Sequence, residues 1–402
     1  MKRLPALLLA ILFIGCSTDS SDTLSQSALM DSLDVPQHVR QLDNLTVHDP
    51  GVPPQYEITF EETSSIDNVN SGRGGAFNIA KDPQGRIYVS DPAQTHIRAY
   101  DADFQQRGTL GREGKGPGEF ARMGPLFVHG DLLMVYDFSL RRIQTFNTET
   151  MEDRRVINID PQEFESFEEI RFPLIADFYS LGDQGILVKI PIQEKNDRNY
   201  DGYYLMNREG EITSEKIFET VQQVNHQFTV PNMGGMVGGV RLPFTDQGLV
   251  AQSPRSTVYK ANTSEFLLTE INPADSSRRH IWYPYDNDPL TQQEGLDEFA
   301  TSMHDIVREA DFPSHWPALK AMMVDDQDRI WVATVTDDRE NDVWWVLDRD
   351  GMLLGRFTWT KEETLQLVHD GHLYVSRFNQ DDRVYSVDRY IVAMEPNNSS
   401  GS

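Results

Sequence analysis

One strand pattern recurs six times between residues 76 and 390, and it constrains the fold more than any single residue does. Each unit reads as a turn, an apolar strand, a polar turn and a second apolar strand. Asn, Asp and Gly occupy the turns, where backbone geometry favours them. Intervals of about 43 to 80 residues between first strands lie within or above the range of propeller blades. The six first strands are residues 85–91, 130–137, 185–190, 248–252, 328–333 and 371–376.

The two ends of the repeat indicate how the ring closes. The last unit, which starts near residue 365, lacks a strand, and a short alternating strand at residues 56–60 stands apart from the repeat register. An N-terminal strand that completes the final blade would protect its edge. We therefore predict an all-β, six-bladed β-propeller over residues 55–394, with strand 56–60 closing the last blade. We expect residues 395–402 to form a disordered tail.

The longest interval, between the fourth and fifth units, contains a different pattern. Thr291 and Glu294 have the spacing of a capping box, and the apolar residues that follow recur at helical spacing. This predicts one helical insertion at about residues 289–318, which either forms a lid or packs over a blade edge.

The N-terminus has the layout of a secretory signal that ends at Cys16, the single cysteine of the chain. Lys2 and Arg3 precede an apolar run at residues 4–14, which is shorter than the roughly 20 residues that a membrane span needs. Residues 12–16 resemble the bacterial lipoprotein cleavage box, which implies a signal peptide over residues 1–16 that ends at a lipidated Cys16. An ordinary cleaved signal with an incidental cysteine is the alternative. The Ser-, Asp- and Pro-rich composition of residues 17–54 predicts a flexible tether.

The charge of the chain restricts its partners. With 63 acidic and 36 basic residues the net charge is −27, whereas nucleic-acid binding needs clustered Lys and Arg. We therefore expect no nucleic-acid partner. The acidic residues are spread along the chain, which favours a solvated surface over a focused cation site. We expect a monomer.

Residues 85–91, 96–101 and the glycine-rich 111–120 give the chain a family resemblance. Residues 72–150 resemble NHL-repeat and TolB-like propellers. Together with the lipoprotein start and residues 44–46 and 312–317, they make the chain similar to the six-bladed propeller lipoproteins of Bacteroidetes-type bacteria. The resemblance implies a cell-envelope protein, periplasmic or surface-exposed. Ser17, rather than Asp, after the cysteine favours anchoring in the outer membrane. The family has no agreed activity, so none is implied.

The sequence shows no recognisable catalytic arrangement. The ten histidines form neither HExxH nor a closely spaced Cys/His set, and the Gly-x-Ser-x-Gly elbow is absent. Asp91 with Arg98, and Asp137 with Arg142, recur in successive units, which favours a structural role at turns over acid–base chemistry. The glycine-rich residues 111–118 lie between two β units, so we predict a connector and not a phosphate cradle.

Residues that precede the predicted innermost strands are candidates for a ligand site at the channel mouth. Convergent cations and an aromatic ring suit an anionic or sugar-like ligand. The candidates are Arg73, Arg122, Arg241, His315, Trp316 and Lys320.

Two functions from different classes follow from the fold. The leading interpretation is a lipid-anchored, non-catalytic binding or scaffold protein for a protein partner or an envelope glycan, without a cofactor. The alternative is a metal-assisted hydrolase or lyase, lactonase-like or polysaccharide-lyase-like, with Ca²⁺ or another divalent cation in the central channel. The fold alone does not decide between them.

Overall fold

The computed structural model describes residues 25–69, 78–91, 93, 95–170, 174–195, 198–229, 237–338, 340–379 and 384–397. Six blades, each with four antiparallel strands, follow one another along the chain, and a short parallel strand extends the sheet of the fourth blade. The innermost strands of neighbouring sheets contact each other around a central channel. The predicted six-bladed β-propeller is therefore confirmed.

The strands, β1 to β27, are numbered along the chain. Two strands come before the first blade along the chain: β1 (Leu45–Val47) and β2 (Tyr56–Val69). The first blade contains β3 (Ile79–Lys81), β4 (Ile87–Asp91), β5 (His96–Tyr100) and β6 (Gln106–Leu110). The second contains β7 (Met123–His129), β8 (Leu132–Asp137), β9 (Arg142–Asn147) and β10 (Asp153–Asn158). The third contains β11 (Asp177–Ser180), β12 (Ile186–Lys195), β13 (Arg198–Met206) and β14 (Phe218–Val221).

The remaining strands include one hairpin outside the blades. A two-stranded sheet of β15 (Asn225–Thr229) and β16 (Val237–Arg241) separates the third and fourth blades. The fourth blade contains β17 (Gly248–Gln252), β18 (Val258–Asn262), β19 (Leu267–Ile271) and β20 (Arg278–Trp282). The fifth contains β21 (Leu319–Val324), β22 (Ile330–Thr334), β23 (Asn341–Leu347) and β24 (Leu353–Thr360). The sixth contains β25 (Glu363–His369), β26 (His372–Asn379), β27 (Val384–Pro396) and β2.

The ring closes through pairing between the two ends of the chain. β2 runs antiparallel to β27, from Tyr56 opposite Pro396 to Val69 opposite Tyr385. The strand predicted at 56–60 is therefore much longer. The predicted tail at 395–402 begins within β27, and the side chain of Asn397 donates to the Pro54 carbonyl at 2.8 Å. Residues 398–402 lie outside the described residues.

The first and fifth blades turn between their first two strands in the same way. Asp82 accepts hydrogen bonds from the backbone amides of Gln84 and Arg86, and from Nε of Arg86 at 2.6 Å. In the fifth blade, Asp325 binds Arg329 in the same way, again with 2.6 Å to Nε. The repeated sequence pattern therefore encodes a repeated carboxylate-centred turn.

The antiparallel order gives the ring two different faces. In every blade the chain enters on the innermost strand, so the first turn of each blade and the third turn of the first five blades lie at the same end. We call this end the turn face. The opposite end, the crossover face, has the connections between blades. It also has the β15–β16 hairpin and the segment 283–318.

Residues 25–47 pack against the fourth blade, so the prediction of a flexible tether over 17–54 is wrong for this part. Helices α1 (Gln26–Ser32) and α2 (Gln37–Arg40) precede β1, which pairs in parallel with β20. Val39 and Val47 are buried against Trp282. The average composition of the segment is polar, but its few apolar residues are spaced so that they cover the outer edge of this blade. Cys16 and residues 17–24 lie outside the described residues.

A helical insertion lies between blades four and five, as predicted. It contains α3 (Gln292–Asp297), a 3₁₀ turn at Thr301–Met303 and α4 (His304–Val307). The Thr291 hydroxyl and the Glu294 carboxylate form the capping box. Among the described helices, none has the length and apolar content needed to cross a bilayer.

Candidate binding groove on the crossover face

The central channel has a volume of about 450 Å³ and is lined by the innermost strands of all six blades. At its turn-face end, the amine of Lys81 lies 3.6 Å from the Asp370 carboxylate and donates to the His369 carbonyl at 3.4 Å. Burial lowers the pKa of both Lys81 and His369. At the other end, burial raises the pKa of Asp177, whose carboxylate accepts from the Tyr179 hydroxyl at 3.3 Å. At each end of the channel, these polar side chains therefore form hydrogen bonds or ion pairs with neighbouring groups of the protein.

Metal ligands do not converge in the part of the chain that the structure describes. There, no group of three or more His, Cys, Asp or Glu side chains is arranged to hold a metal ion. A divalent cation in the channel remains a prediction.

A larger cavity, of about 660 Å³, lies on the crossover face between the β15–β16 hairpin and the segment 283–318. We call it the crossover groove. Its floor is aromatic. The rings of Phe244 and Phe312 stack with centroids 4.6 Å apart, and Trp316 meets Phe244 edge-on at 6.4 Å. These aromatic contacts hold the insertion against the entry to the fourth blade.

Glycines let the walls of the groove approach closely. At Gly295 in α3, a Cβ atom would lie 2.5 Å from the Phe312 ring, so only glycine allows this helix to lie on the aromatic floor. At Gly238 in β16, a Cβ would lie 2.8 Å from the Phe228 ring of the facing strand. Pro313 and Pro317 restrict the backbone of the segment that forms the opposite wall.

Two buried nitrogen atoms on the groove lining have no hydrogen-bond partner among the described residues. They are Nε2 of His226 and Nε of Arg198. The Arg198 terminal nitrogen is fixed by the Asp246 carboxylate at 2.7 Å. A buried polar atom without a partner costs about 1–3 kcal/mol, so a hydrogen bond from a further group to either atom would recover that cost.

The remaining polar groups of the groove are preorganised. The Asn287 side chain donates to the Trp316 carbonyl at 2.9 Å and to the Ser264 carbonyl at 3.2 Å. The imidazole of His315 is exposed, and its Nδ1 lies 2.8 Å from the Ser314 hydroxyl. The groove therefore offers hydrogen-bonding groups along its rim above an apolar floor, which is the usual composition of a binding site.

The structure brings together only part of the predicted site. His315 and Trp316 line the crossover groove, but Trp316 is 7% exposed and belongs to its floor. Arg241 is exposed at the end of β16, directly before the lining residue Leu242.

Two other candidates have structural partners. Lys320 forms an ion pair with Asp342 at 2.6 Å, and Arg122 lies over the Phe138 ring at 5.4 Å. None of the five described candidates lines the central channel, and Arg73 lies outside the described residues. Ligand binding by these residues stays a prediction.

Sequence reasoning missed His226, Arg198 and Asn287. The alternating residues of β15 and β16 were the available signal for a hairpin, but they fall between blade units whose boundaries the repeat does not define. That His226 would face segment 283–318 depends on packing between distant parts of the chain.

The two Asp–Arg pairs predicted to have a structural role at turns differ from each other in the structure. Arg98 binds Asp91 at 2.6 Å with the carboxylate fully buried, as expected of a structural pair. Arg142 instead donates to backbone carbonyls of the glycine-rich connector, and Asp137 accepts from backbone amides, including that of Ala121 at 2.8 Å.

Comparison with known proteins gives similarity of structure only. No protein-family model matches the sequence, and no curated protein matches it. A solved structure of a Bacteroides fragilis NCTC 9343 protein described as exported covers 87% of this chain and 99% of its own, with 9% identity and a TM-score of 0.47. A DUF4221 member from Bacteroides vulgatus ATCC 8482 covers 85% and 100%, with 12% identity and a TM-score of 0.43. Virginiamycin B lyase from Staphylococcus aureus covers 85% and 89%, with 9% identity and a TM-score of 0.36. The NHL-like and lipoprotein resemblances remain predictions.

Proposed function

We propose that this protein is a non-catalytic binding module whose crossover groove receives an extended segment of a protein partner. The observation that supports this most is the pair of unpartnered buried atoms, Nε2 of His226 and Nε of Arg198, on a groove with an aromatic floor. A peptide carbonyl is the kind of acceptor that both atoms can bind, since arginine donates and a histidine nitrogen can donate.

The hairpin beside the groove favours a protein partner over an envelope glycan. Among the described strands, β15 and β16 pair only with each other, so each has an outer edge that pairs with no third strand. Such edges add a strand from a partner, whose main chain then forms the hydrogen bonds. Val237 on this hairpin is 62% exposed and offers an apolar contact to an added strand.

The test is selection of peptides from a displayed random library on the purified chain, followed by affinity measurements. We expect His226→Ala to weaken the selected peptides about tenfold, because a hydrogen bond to a buried group is lost. Asp305→Asn, an exposed change in α4 outside the groove lining, is the matched control and should leave affinity unchanged. Equal affinity of the His226 variant and the parent would contradict the proposal.

A thermal-shift panel separates the alternatives. A ligand at a hundred times its Kd adds about 2.7 kcal/mol to the free energy of unfolding, so envelope oligosaccharides and divalent metal salts can be screened directly. Stabilisation by an oligosaccharide that is lost in the His226 variant would assign the groove to a glycan. Stabilisation by a metal would favour the hydrolase or lyase alternative and the central channel.

We further propose that the protein is anchored to the outer membrane through a lipidated Cys16. The support is the sequence of residues 1–16, a basic start and an apolar run that ends at the only cysteine. More than one acyl chain gives stable anchoring, whereas a single chain binds reversibly. Radiolabelled palmitate should label the parent in cells and not a Cys16→Ser variant. Labelling of that variant would rule out this anchor.

A further inference from the structure

A second cleft, of about 310 Å³, lies on the turn face between the second and third blades. It is distinct from the crossover groove, since its lining comes from the first and third turns of these blades and from the strands beside them. The side chains of Met134, Ile157 and Ile186 contribute to its wall and are at most 5% exposed as residues. The floor of the cleft is therefore mainly hydrocarbon.

Basic side chains surround this apolar floor. Arg154, Arg155, Arg208 and His129 belong to the lining, and the described lining contains no Asp or Glu. The chain as a whole has 63 acidic and 36 basic residues, so a cleft lined by three arginines and no acid departs strongly from its average surface. These guanidinium groups place N–H donors for an oxyanion at the edge of the apolar floor.

The arginines are held in place by acids that lie outside the cleft. Arg154 binds Asp131 at 2.8 Å, and Arg155 binds Glu209 at 3.0 Å. In both pairs the two side chains are at least half exposed. Exposed ion pairs are weak, so a ligand oxyanion can share or replace these acids at little cost.

Arg208 is held mainly by backbone. Its terminal nitrogen donates to the Gly182 carbonyl at 3.3 Å, and the Asp183 carboxylate is 3.5 Å away. The planar guanidinium has five donors, so most remain available to a ligand.

We propose that this cleft binds a soluble single-chain amphiphile with an oxyanion head. The head, a carboxylate or a phosphate monoester, lies against the arginines, which bind such groups through paired N–H donors. The alkyl chain covers Met134, Ile157 and Ile186. This site is independent of the proposed function of the crossover groove.

The test is calorimetric titration of the purified chain with butanoate, hexanoate, octanoate and decanoate, all below their micelle concentrations. Kd should fall about fourfold for each added methylene, because each buries hydrocarbon on the floor. Octylammonium and octanol should bind at least about tenfold more weakly than octanoate, since they lack the oxyanion. An affinity that does not depend on chain length, or equal binding of octylammonium, would overturn the proposal.

Variants test the basic rim. Arg155→Gln and Arg208→Gln should each weaken octanoate about tenfold. Arg308→Gln is the matched control, because Arg308 also forms an exposed pair, with Asp305 at 2.8 Å, and lies outside the cleft. Its binding should equal that of the parent, and thermal melting of all three variants checks folding. Equal losses in all three would overturn the proposal.

The source of the anion is tested with octyl phosphate and with vesicles of anionic phospholipid. Binding of octanoate or octyl phosphate by the parent, with loss in the Arg155 variant, supports a soluble ligand. Binding to vesicles without any binding of the free amphiphiles would instead indicate a membrane-contact surface and would overturn the proposal.

Discussion

The guanidinium of Arg142 donates a hydrogen bond to the Gly116 carbonyl at 2.7 Å and so joins the second blade to the connector that precedes it. It also donates to the carbonyls of Lys115 at 3.0 Å and Glu119 at 2.8 Å. Oε1 of Gln144 accepts a hydrogen bond from the Gly118 backbone amide at 2.8 Å. The glycine-rich connector is therefore fixed by the strand beneath it, in agreement with a structural role and not with phosphate binding.

Replacing Arg142 by Met should lower the free energy of unfolding by about 2–3 kcal/mol, because buried carbonyls lose charge-assisted donors. Arg142 is 8% exposed, so water does not readily replace the guanidinium. Arg112, whose side chain is 77% exposed and which pairs with Glu119 of the same connector, is the control. Arg112→Met should cost at most about 1 kcal/mol in urea unfolding. Equal costs would mean that Arg142 does not hold the connector.

The carboxylate-centred turn of the fifth blade makes a second prediction. Asp325 accepts from the indole nitrogen of Trp331 at 2.9 Å and from Nε of Arg329 at 2.6 Å, and its side chain is fully buried. Asp325→Asn should destabilise by about 2–3 kcal/mol, because the arginine loses its charge partner. Asp326→Asn, one residue along, should cost no more than about 1 kcal/mol, because the asparagine Oδ1 can still accept the Asp370 amide that binds Asp326 at 3.0 Å. Chemical denaturation of both variants gives the comparison, and similar midpoints would contradict it.

The parts of the fold that sequence predicted are those that local chemistry defines. Alternating strands and Asp- and Gly-containing turns depend on neighbouring residues, so the six blades and the capping box at Thr291 could be read directly. Strand 56–60 could be assigned because a ring needs a closed edge.

What sequence did not reveal depends on contacts between distant residues. The ion pair of Lys320 with Asp342 joins two neighbouring strands, and its register follows from pairing that no motif specifies. Trp316 was predicted to contact a ligand, but in the structure its ring packs edge-on against Phe244. His226 acquires its significance only because segment 283–318 folds back beside the hairpin.

Docking of residues 25–47 on the fourth blade should contribute measurably to stability. Val39 is fully buried there, whereas the neighbouring His38 has a 66% exposed side chain and pairs with Glu265 at 3.0 Å. Val39→Asp should lower the free energy of unfolding of this segment by about 3 kcal/mol, since it places a charge in an apolar contact. His38→Ala should change it by less than about 1 kcal/mol.

Hydrogen exchange measures this docking at the amides of β1, which pair with β20. In the Val39 variant these amides should exchange faster, while those of β22 in the fifth blade keep their protection. Unchanged exchange in β1 would mean that the segment holds its place without Val39.

The channel carboxylate of Asp177 predicts a pH dependence of stability. Burial raises its pKa in the folded protein above the value of about 3.8 in the unfolded chain, and the nearby Lys189 opposes the shift. The folded state therefore binds the proton more tightly. The resulting stability is fully present below pH of about 3.8 and is lost as the pH rises through the folded-state pKa.

In Asp177→Asn this loss should disappear, so the variant gains stability relative to the parent as the pH rises from about 4 to 7. Urea midpoints at several pH values measure both curves, and parallel curves for the parent and the Asp177 variant would contradict the prediction.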